Sequence, residues 1–248
     1  MSKEKRNKRI ELASEQENLG LSPDKVSINI QGNDPVLPKN EKQERFIAKG
    51  QGGAGLLAGI GPAGTGKTYL AVLLALEKLL SGEKKRIVIS RRAVEAGESL
   101  GFLPGDLAQK VDPYLRPIYD VLYEFLGPVK TQEMIEQNVI EVAPLAYMRG
   151  RTFNDAVMVL DEGQNTTKSQ MKMFLTRAGY GTDIIICADP TQSDIPEEDR
   201  TGLPYLYERL NDEDLSDIVY HEHFDAKGVV RSELVSRLIR SDERHQAK

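Results

Sequence analysis

Eight residues carry a spacing that does phosphate chemistry. Gly61-Pro62-Ala63-Gly64-Thr65-Gly66-Lys67-Thr68 follows the pattern G-x-x-x-x-G-K-[ST]. Its glycines let successive N–H groups turn inward as an anion nest. A helix beginning here adds the partial positive charge of its N-terminus. Lys67 would reach the β- and γ-phosphates of a nucleotide, and the Thr68 hydroxyl would ligate Mg²⁺. Tyr69 follows directly and completes the expected cradle. A second centre is Asp161-Glu162, which closes the apolar run Ala156-Val157-Met158-Val159-Leu160. Such a run suits a central parallel strand. A carboxylate at its end, Asp161, can bind Mg²⁺ through water. Glu162 points differently and can orient and deprotonate an attacking water. An isolated Asp-Glu pair means nothing; its place after an apolar strand and downstream of a phosphate loop gives it weight.

Weaker candidates surround these two centres. Gln192 ends Asp189-Pro190-Thr191-Gln192, after the apolar run Ile184–Ala188. There it could sense a γ-phosphate or serve only as a turn residue. Gln43 lies ahead of the loop, and its amide matches the donor–acceptor edge of adenine. Arg91, Arg92 and Phe102 sit in a long loop after a strand, where they could hold a nucleic-acid backbone and stack a base. Arg231 opens an amphipathic helix, Val229–Arg240, and could act as a finger in a neighbouring subunit's nucleotide site. His221 and His223 alternate on a candidate strand without a nearby third ligand. Tyr147-Met148-Arg149-Gly150-Arg151-Thr152 is a basic turn, whereas Glu197–Asp217 is acidic and would repel nucleic acid.

The elements that must position these groups alternate. Strands are expected at 56–60, 86–90, 139–142, 156–160, 184–188 and 218–220. Helices are expected from Asn40, after Thr68, over 112–126, over 168–177 and over 229–240. This alternation argues for an α/β fold, a mostly parallel sheet with helices on both faces. Residues 1–37 are polar and read as a flexible N-terminal segment, with the nucleotide domain spanning 38–248. The 248 residues are 40% hydrophobic and 29% charged, with net charge −5. That balance excludes a globally basic protein, so any nucleic-acid surface must be local. The lone Cys187 can form no internal disulfide, and no stretch nears the length of a membrane span. With no apolar signal region after the first charges, the expected setting is the cytoplasm.

The chain resembles the PhoH-like family, itself similar to the first motor domain of superfamily-one helicases. The resemblance rests on Gly61–Thr68, on Arg91–Leu122, on Arg149-Gly150-Arg151-Thr152, on Asp161–Arg177, on Asp189–Gln192 and on Val229-Val230-Arg231. It implies a RecA-like P-loop NTPase fold, ATP with Mg²⁺, and RNA or single-stranded DNA as polymer. It also implies a ring-like homo-oligomer, of which a hexamer is one form. By position, Gln43 would contact adenine, Lys67 and Thr68 the phosphates and Mg²⁺, Asp161 the Mg²⁺ and Glu162 the water. Gln192 would sense the γ-phosphate and Arg231 would be the finger. Arg92, Gly163, Ala188 and Ser232 depart from the family's usual proline, alanine, glycine and histidine. With no second motor domain in the sequence, the expectation is that a neighbouring subunit closes the nucleotide cleft. A nucleotide-controlled assembly module with negligible turnover is the alternative to an ATPase.

Overall fold

The computed structural model describes residues 26–92, 107–225 and 228, with residues 107–114 described by backbone alone. Six parallel strands form one sheet. They are β1 (Leu56–Ile60), β2 (Arg86–Arg91), β3 (Ile140–Pro144), β4 (Ala156–Asp161), β5 (Asp183–Ala188) and β6 (Val219–His223), in the order β3-β2-β4-β5-β1-β6. Parallel strands need crossovers, and these are supplied mainly by helices. The helices are α1 (Glu41–Gln51), α2 (Lys67–Leu80), α3 (Leu107–Leu126), α4 (Pro128–Glu136), α5 (Lys168–Leu175) and α6 (Gly202–Leu210).

Burial follows composition. Every residue of the apolar strands β1, β4 and β5 is buried, whereas the edge strands β3 and β6 are only partly buried, with His221 and His223 of β6 exposed. Side chains alternate across β4: Val157 and Val159 join the core under α1, α2 and α3, whereas Ala156, Met158 and Leu160 join the core under α5 and α6. The middle of helix α2 lies inside the first core, with Leu70 through Leu76 at most 2% exposed. That explains its near-continuous apolar sequence.

Two segments hold more structure than their sequence suggests. The described part of the segment 1–37, residues 26–37, packs on the domain. Ile28 and Ile30 are buried in the first core, and Ile28 and Val36 exchange backbone hydrogen bonds of 2.9 Å. The Asn29 N–H donates to Glu77 Oε1 at 2.7 Å. Two isoleucines spaced by one residue anchor a stretch whose polar neighbours disguise it. Gly127-Pro128 also does more than stop a helix: Gly127 turns at φ 75° and Pro128 starts α4. Proline suits that first turn, where its missing N–H has no partner to lose. Among the described residues, no helix is long and apolar enough to cross a membrane.

Because all six strands run in parallel, their C-terminal ends share one edge of the sheet. Strand β5 separates the loop-bearing β1 from the carboxylate-bearing β4. Ligands of open α/β sheets bind at this edge.

Candidate active site

The loop between β1 and α2 needs its glycines. Gly66 has φ 86° and starts α2 without a side-chain cap, leaving the helix N–H groups open to an anion. Gly61 has φ 148°, and a Cβ there would lie 2.3 Å from the Phe224 carbonyl oxygen. Behind the loop, Gln43 is 4% exposed; it accepts from the Lys39 N–H at 2.8 Å and donates to the Thr65 carbonyl at 2.9 Å. Its amide therefore braces the loop and keeps one N–H and one lone pair in reserve. It does not line the pocket.

A pocket of about 210 Å³ opens in front of the loop. It draws Lys67 and Thr68 from α2, Asp161 and Glu162 from the end of β4, and Asp189 and Gln192 from beyond β5. Tyr69 also lines it, but its hydroxyl turns to Glu124 Oε1 at 3.4 Å. Burial, with Glu124 adding to it, pushes that phenol up to about 12. The Thr68 hydroxyl donates to Asp161 Oδ1 at 2.6 Å. Lys67 Nζ donates to the carbonyls of Gly61 and Pro62 at 2.7 and 2.8 Å. Burial lowers the Lys67 ammonium pKa, and the carboxylates of Asp189, Glu162 and Asp161 oppose the shift.

Glu162 holds a left-handed backbone, φ 53°, which turns its side chain away from that of Asp161. Burial and then the neighbouring Asp161 raise its pKa, against Gln164, Arg91 and Lys67. Arg91 leans in from the end of β2, with its guanidinium 3.4 Å from Asp161 Oδ2 and 3.5 Å from Glu162 Oε1. Arg92 donates to the Asn165 carbonyl at 2.8 Å. Both arginines therefore face the β4 turn. Phe102 and Arg231 lie outside the described residues.

The donor set suits a hard divalent cation. A hydroxyl and a carboxylate in direct contact are oxygen ligands of the kind Mg²⁺ takes alongside phosphate oxygens. Cys187 lines the same pocket, but complete burial pushes its thiol well up and keeps it protonated. Among the described residues, no group of three or more His, Cys, Asp and Glu could hold a metal by itself. His221 and His223, with ring centroids 5.1 Å apart, gain no third ligand there.

A family model described as "PhoH-like protein" matches residues 35–242. The chain belongs to the PhoH-like protein family. It is 54% identical over 184 residues to a PhoH-like protein of Bacillus subtilis, covering 74% of this chain and 57% of that one. It is 49% identical over 211 residues to a PhoH-like protein of Mycobacterium tuberculosis, covering 85% and 59%. Against Protein PhoH of Escherichia coli the identity is 42% over 207 residues, covering 83% and 57%. The chain thus spans less than two thirds of the length of these PhoH relatives. Among solved structures, the Pif1 helicase of Candida albicans aligns with TM-score 0.38 at 13% identity, covering 77% of this chain and 40% of that one. The Sulfolobus solfataricus SWI2/SNF2 ATPase core in complex with dsDNA aligns with TM-score 0.40 at 12% identity, covering 82% and 46%.

The site of this PhoH-like chain contains a bracket that sequence reasoning passed over. Gln164 is buried, and its amide nitrogen donates both to Glu162 Oε2 and to the Gln192 carbonyl, the latter at 2.9 Å. Its amide oxygen accepts from the Asp189 N–H at 2.9 Å. One side chain thus ties the β4 carboxylate to the loop after β5. Asn165 reinforces it by accepting from the Asp194 N–H at 2.8 Å. Asp189 accepts from the Thr191 N–H and hydroxyl through Oδ1, and its buried Oδ2 has no partner among the described residues. A signal for the bracket existed: two amide side chains directly after Asp-Glu-Gly, in an otherwise tight turn.

Proposed function

We propose that this PhoH-like chain is a cytoplasmic, Mg²⁺-dependent ATPase that acts on RNA or single-stranded DNA as a homo-oligomer. One observation carries the nucleotide half of this reading: the 2.6 Å contact between the Thr68 hydroxyl and Asp161. It brings together the Thr68 hydroxyl and the Asp161 carboxylate, the oxygens that would hold a phosphate-bound Mg²⁺, at the N-terminus of α2 and beside Lys67. When bound, the metal would neutralise charge on the β- and γ-phosphate oxygens.

The protein's own groups supply the rest. Lys67 exchanges the Gly61 and Pro62 carbonyls for phosphate oxygens. The open N–H groups at the start of α2 hold the phosphates. Glu162, steadied by Gln164, accepts the proton of the attacking water, and its raised pKa makes it a better acceptor than an ordinary carboxylate. The Gln192 amide borders the pocket where the γ-phosphate would lie. Adenine contact by Gln43, a finger at Arg231 and polymer contact through Arg91, Arg92 and Phe102 belong to the same proposal.

Glu162→Gln tests it. Mg²⁺-dependent ATP hydrolysis should fall about 10²- to 10⁴-fold while ATP binding persists. Equal, chelator-insensitive turnover in wild type and variant would refute the assignment.

A second reading is a nucleotide-controlled assembly module with negligible turnover. It is favoured by the internal pairing of the site's cations, Lys67 with carbonyls of its own loop and Arg91 with the carboxylates. It predicts that ATP changes oligomer size in sedimentation while hydrolysis stays at background.

A further inference from the structure

The basic turn at 147–152 and helix α5 meet on the face of the sheet occupied by α5 and α6. Ser169, Lys172, Met173 and Thr176 recur at helical spacing, so they share one side of α5. The opposite side buries Met171 and Phe174. Between this outer side and Arg149 lies a shallow cleft of about 470 Å³, which Arg177 also lines.

Its charge is unusual for this protein. Residues 147–152 and 168–177 carry five arginines and lysines and no aspartate or glutamate, in a chain of net charge −5. The two arginines of the turn have different fates. Arg151 is neutralised by a two-pronged pairing with Glu141. Arg149 is exposed and, among the described residues, pairs with no carboxylate; the same holds for Lys172. Arg177 is aimed by bonds to the carbonyls of Met173 and Arg151 at 3.2 and 3.0 Å, neither of which cancels its charge.

The geometry points to this cleft as a seat for the sugar-phosphate backbone of a single nucleic-acid strand. From Ser169 to its end at Leu175, α5 covers about 9 Å. At the roughly 3.4 Å charge spacing of one stacked strand, that is on the order of three phosphates for three cations. The Ser169 hydroxyl can donate to a further phosphate, whereas that of Thr176 is held by the Lys172 and Met173 carbonyls. Tyr147, two residues before Arg149, is 47% exposed and offers a face for a base. The strand would be kept off the acidic surface of 197–217 by repulsion. Helix α5 starts six residues after Glu162, so a strand lying along it would load the element next to the proposed base. The assignment rests on the polymer-binding half of the proposed function.

The test is fluorescence anisotropy with a labelled single-stranded RNA of about twelve nucleotides. It is run across roughly 50 to 200 mM salt, on wild type, on Arg149→Ala/Lys172→Ala and on Lys130→Ala. Lys130 is an exposed cation of α4, whose Met134 and Ile135 pack into the core on the opposite face of the sheet. The double variant should bind about tenfold or more weakly, and its salt slope should be shallower by about 1.4. Lys130→Ala should stay near wild type. Both sets of exposed side chains should leave the thermal transition unchanged.

Wild-type affinity and slope in the double variant would overturn the cleft while leaving polymer binding intact. Loss of oligomer in sedimentation, with affinity per subunit unchanged, would assign the cleft to a second copy's acidic surface instead. Failure of wild type to bind any strand would overturn the polymer reading and the cleft with it.

Discussion

Arg91→Ala should tighten divalent-cation binding in the absence of nucleotide. The Arg91 guanidinium sits 3.4 Å from Asp161 and 3.5 Å from Glu162, where it neutralises the carboxylates a metal would need. At an effective dielectric near 20, each contact is worth about 5 kcal/mol of Coulomb attraction before desolvation. Its side chain is 21% exposed, and Glu162 is 33% exposed. Desolvation and screening therefore cancel most of that attraction, leaving about 1–2 kcal/mol for a cation to overcome. Removing the arginine should raise metal affinity about 5- to 30-fold. Mn²⁺, followed by electron paramagnetic resonance, is a direct probe, and Asp161→Asn supplies the control that loses the site. Arg91→Lys, which keeps a charge on a shorter, unforked head group, should fall between. A second readout is thermal: without metal the variant should melt lower, because two adjacent carboxylates lose their counter-charge. It should then gain more from Mn²⁺ than wild type does. Unchanged or weaker Mn²⁺ binding in Arg91→Ala would refute the reasoning, because it would show that the guanidinium does not compete with the cation.

Three further outcomes follow from the geometry. Gln164→Leu should lower kcat for ATP about 10- to 100-fold with little change in KM, because Gln164 contacts Glu162 and the β5 loop rather than the phosphate loop; steady-state kinetics beside Gln164→Glu check it. Glu162 has a raised folded-state pKa, so the native state binds its proton more tightly than the unfolded chain does. Its contribution is complete at pH below the unfolded carboxylate value and is lost as pH rises through the folded one. Glu162→Gln should therefore melt higher than wild type at neutral pH, with the gap closing in acid, in paired thermal scans. Lys78 is nearly buried and pairs with Asp183 and Glu83 at 2.7 and 2.8 Å, while Asp183 keeps Lys84 at 2.7 Å as a second partner, so Lys78→Ala should cost about 1–3 kcal/mol in urea unfolding.

Much of the fold was legible before any coordinates. Apolar runs at 56–60, 156–160 and 184–188 had to be buried on both faces, and the alternation with helices specified a parallel sheet. The loop Gly61–Thr68 was equally legible, because its geometry is local: eight consecutive residues carry the turn, the cation and the hydroxyl. The packing of residues 26–37 was not legible, because two buried isoleucines leave no periodic pattern in a polar stretch. Helix α4 escaped notice because Pro128, a stop signal for α3, is also a favourable first residue for the helix that follows.

What was local in the chain could be read from it: the strand runs, the glycines that turn backward and the carboxylates at the end of β4. What depended on partners far along the chain came from the fold alone. Arg91 meets Asp161 across seventy residues, and Gln164 meets Asp189 across twenty-five. Arg151 pairs with Glu141 while Arg149, among the described residues, pairs with no carboxylate, although both stand in one basic turn. Residue type sets what a side chain can bond to. The register of neighbouring strands sets which partner reaches it first, and that partner decides whether a charge is structural or available for a ligand.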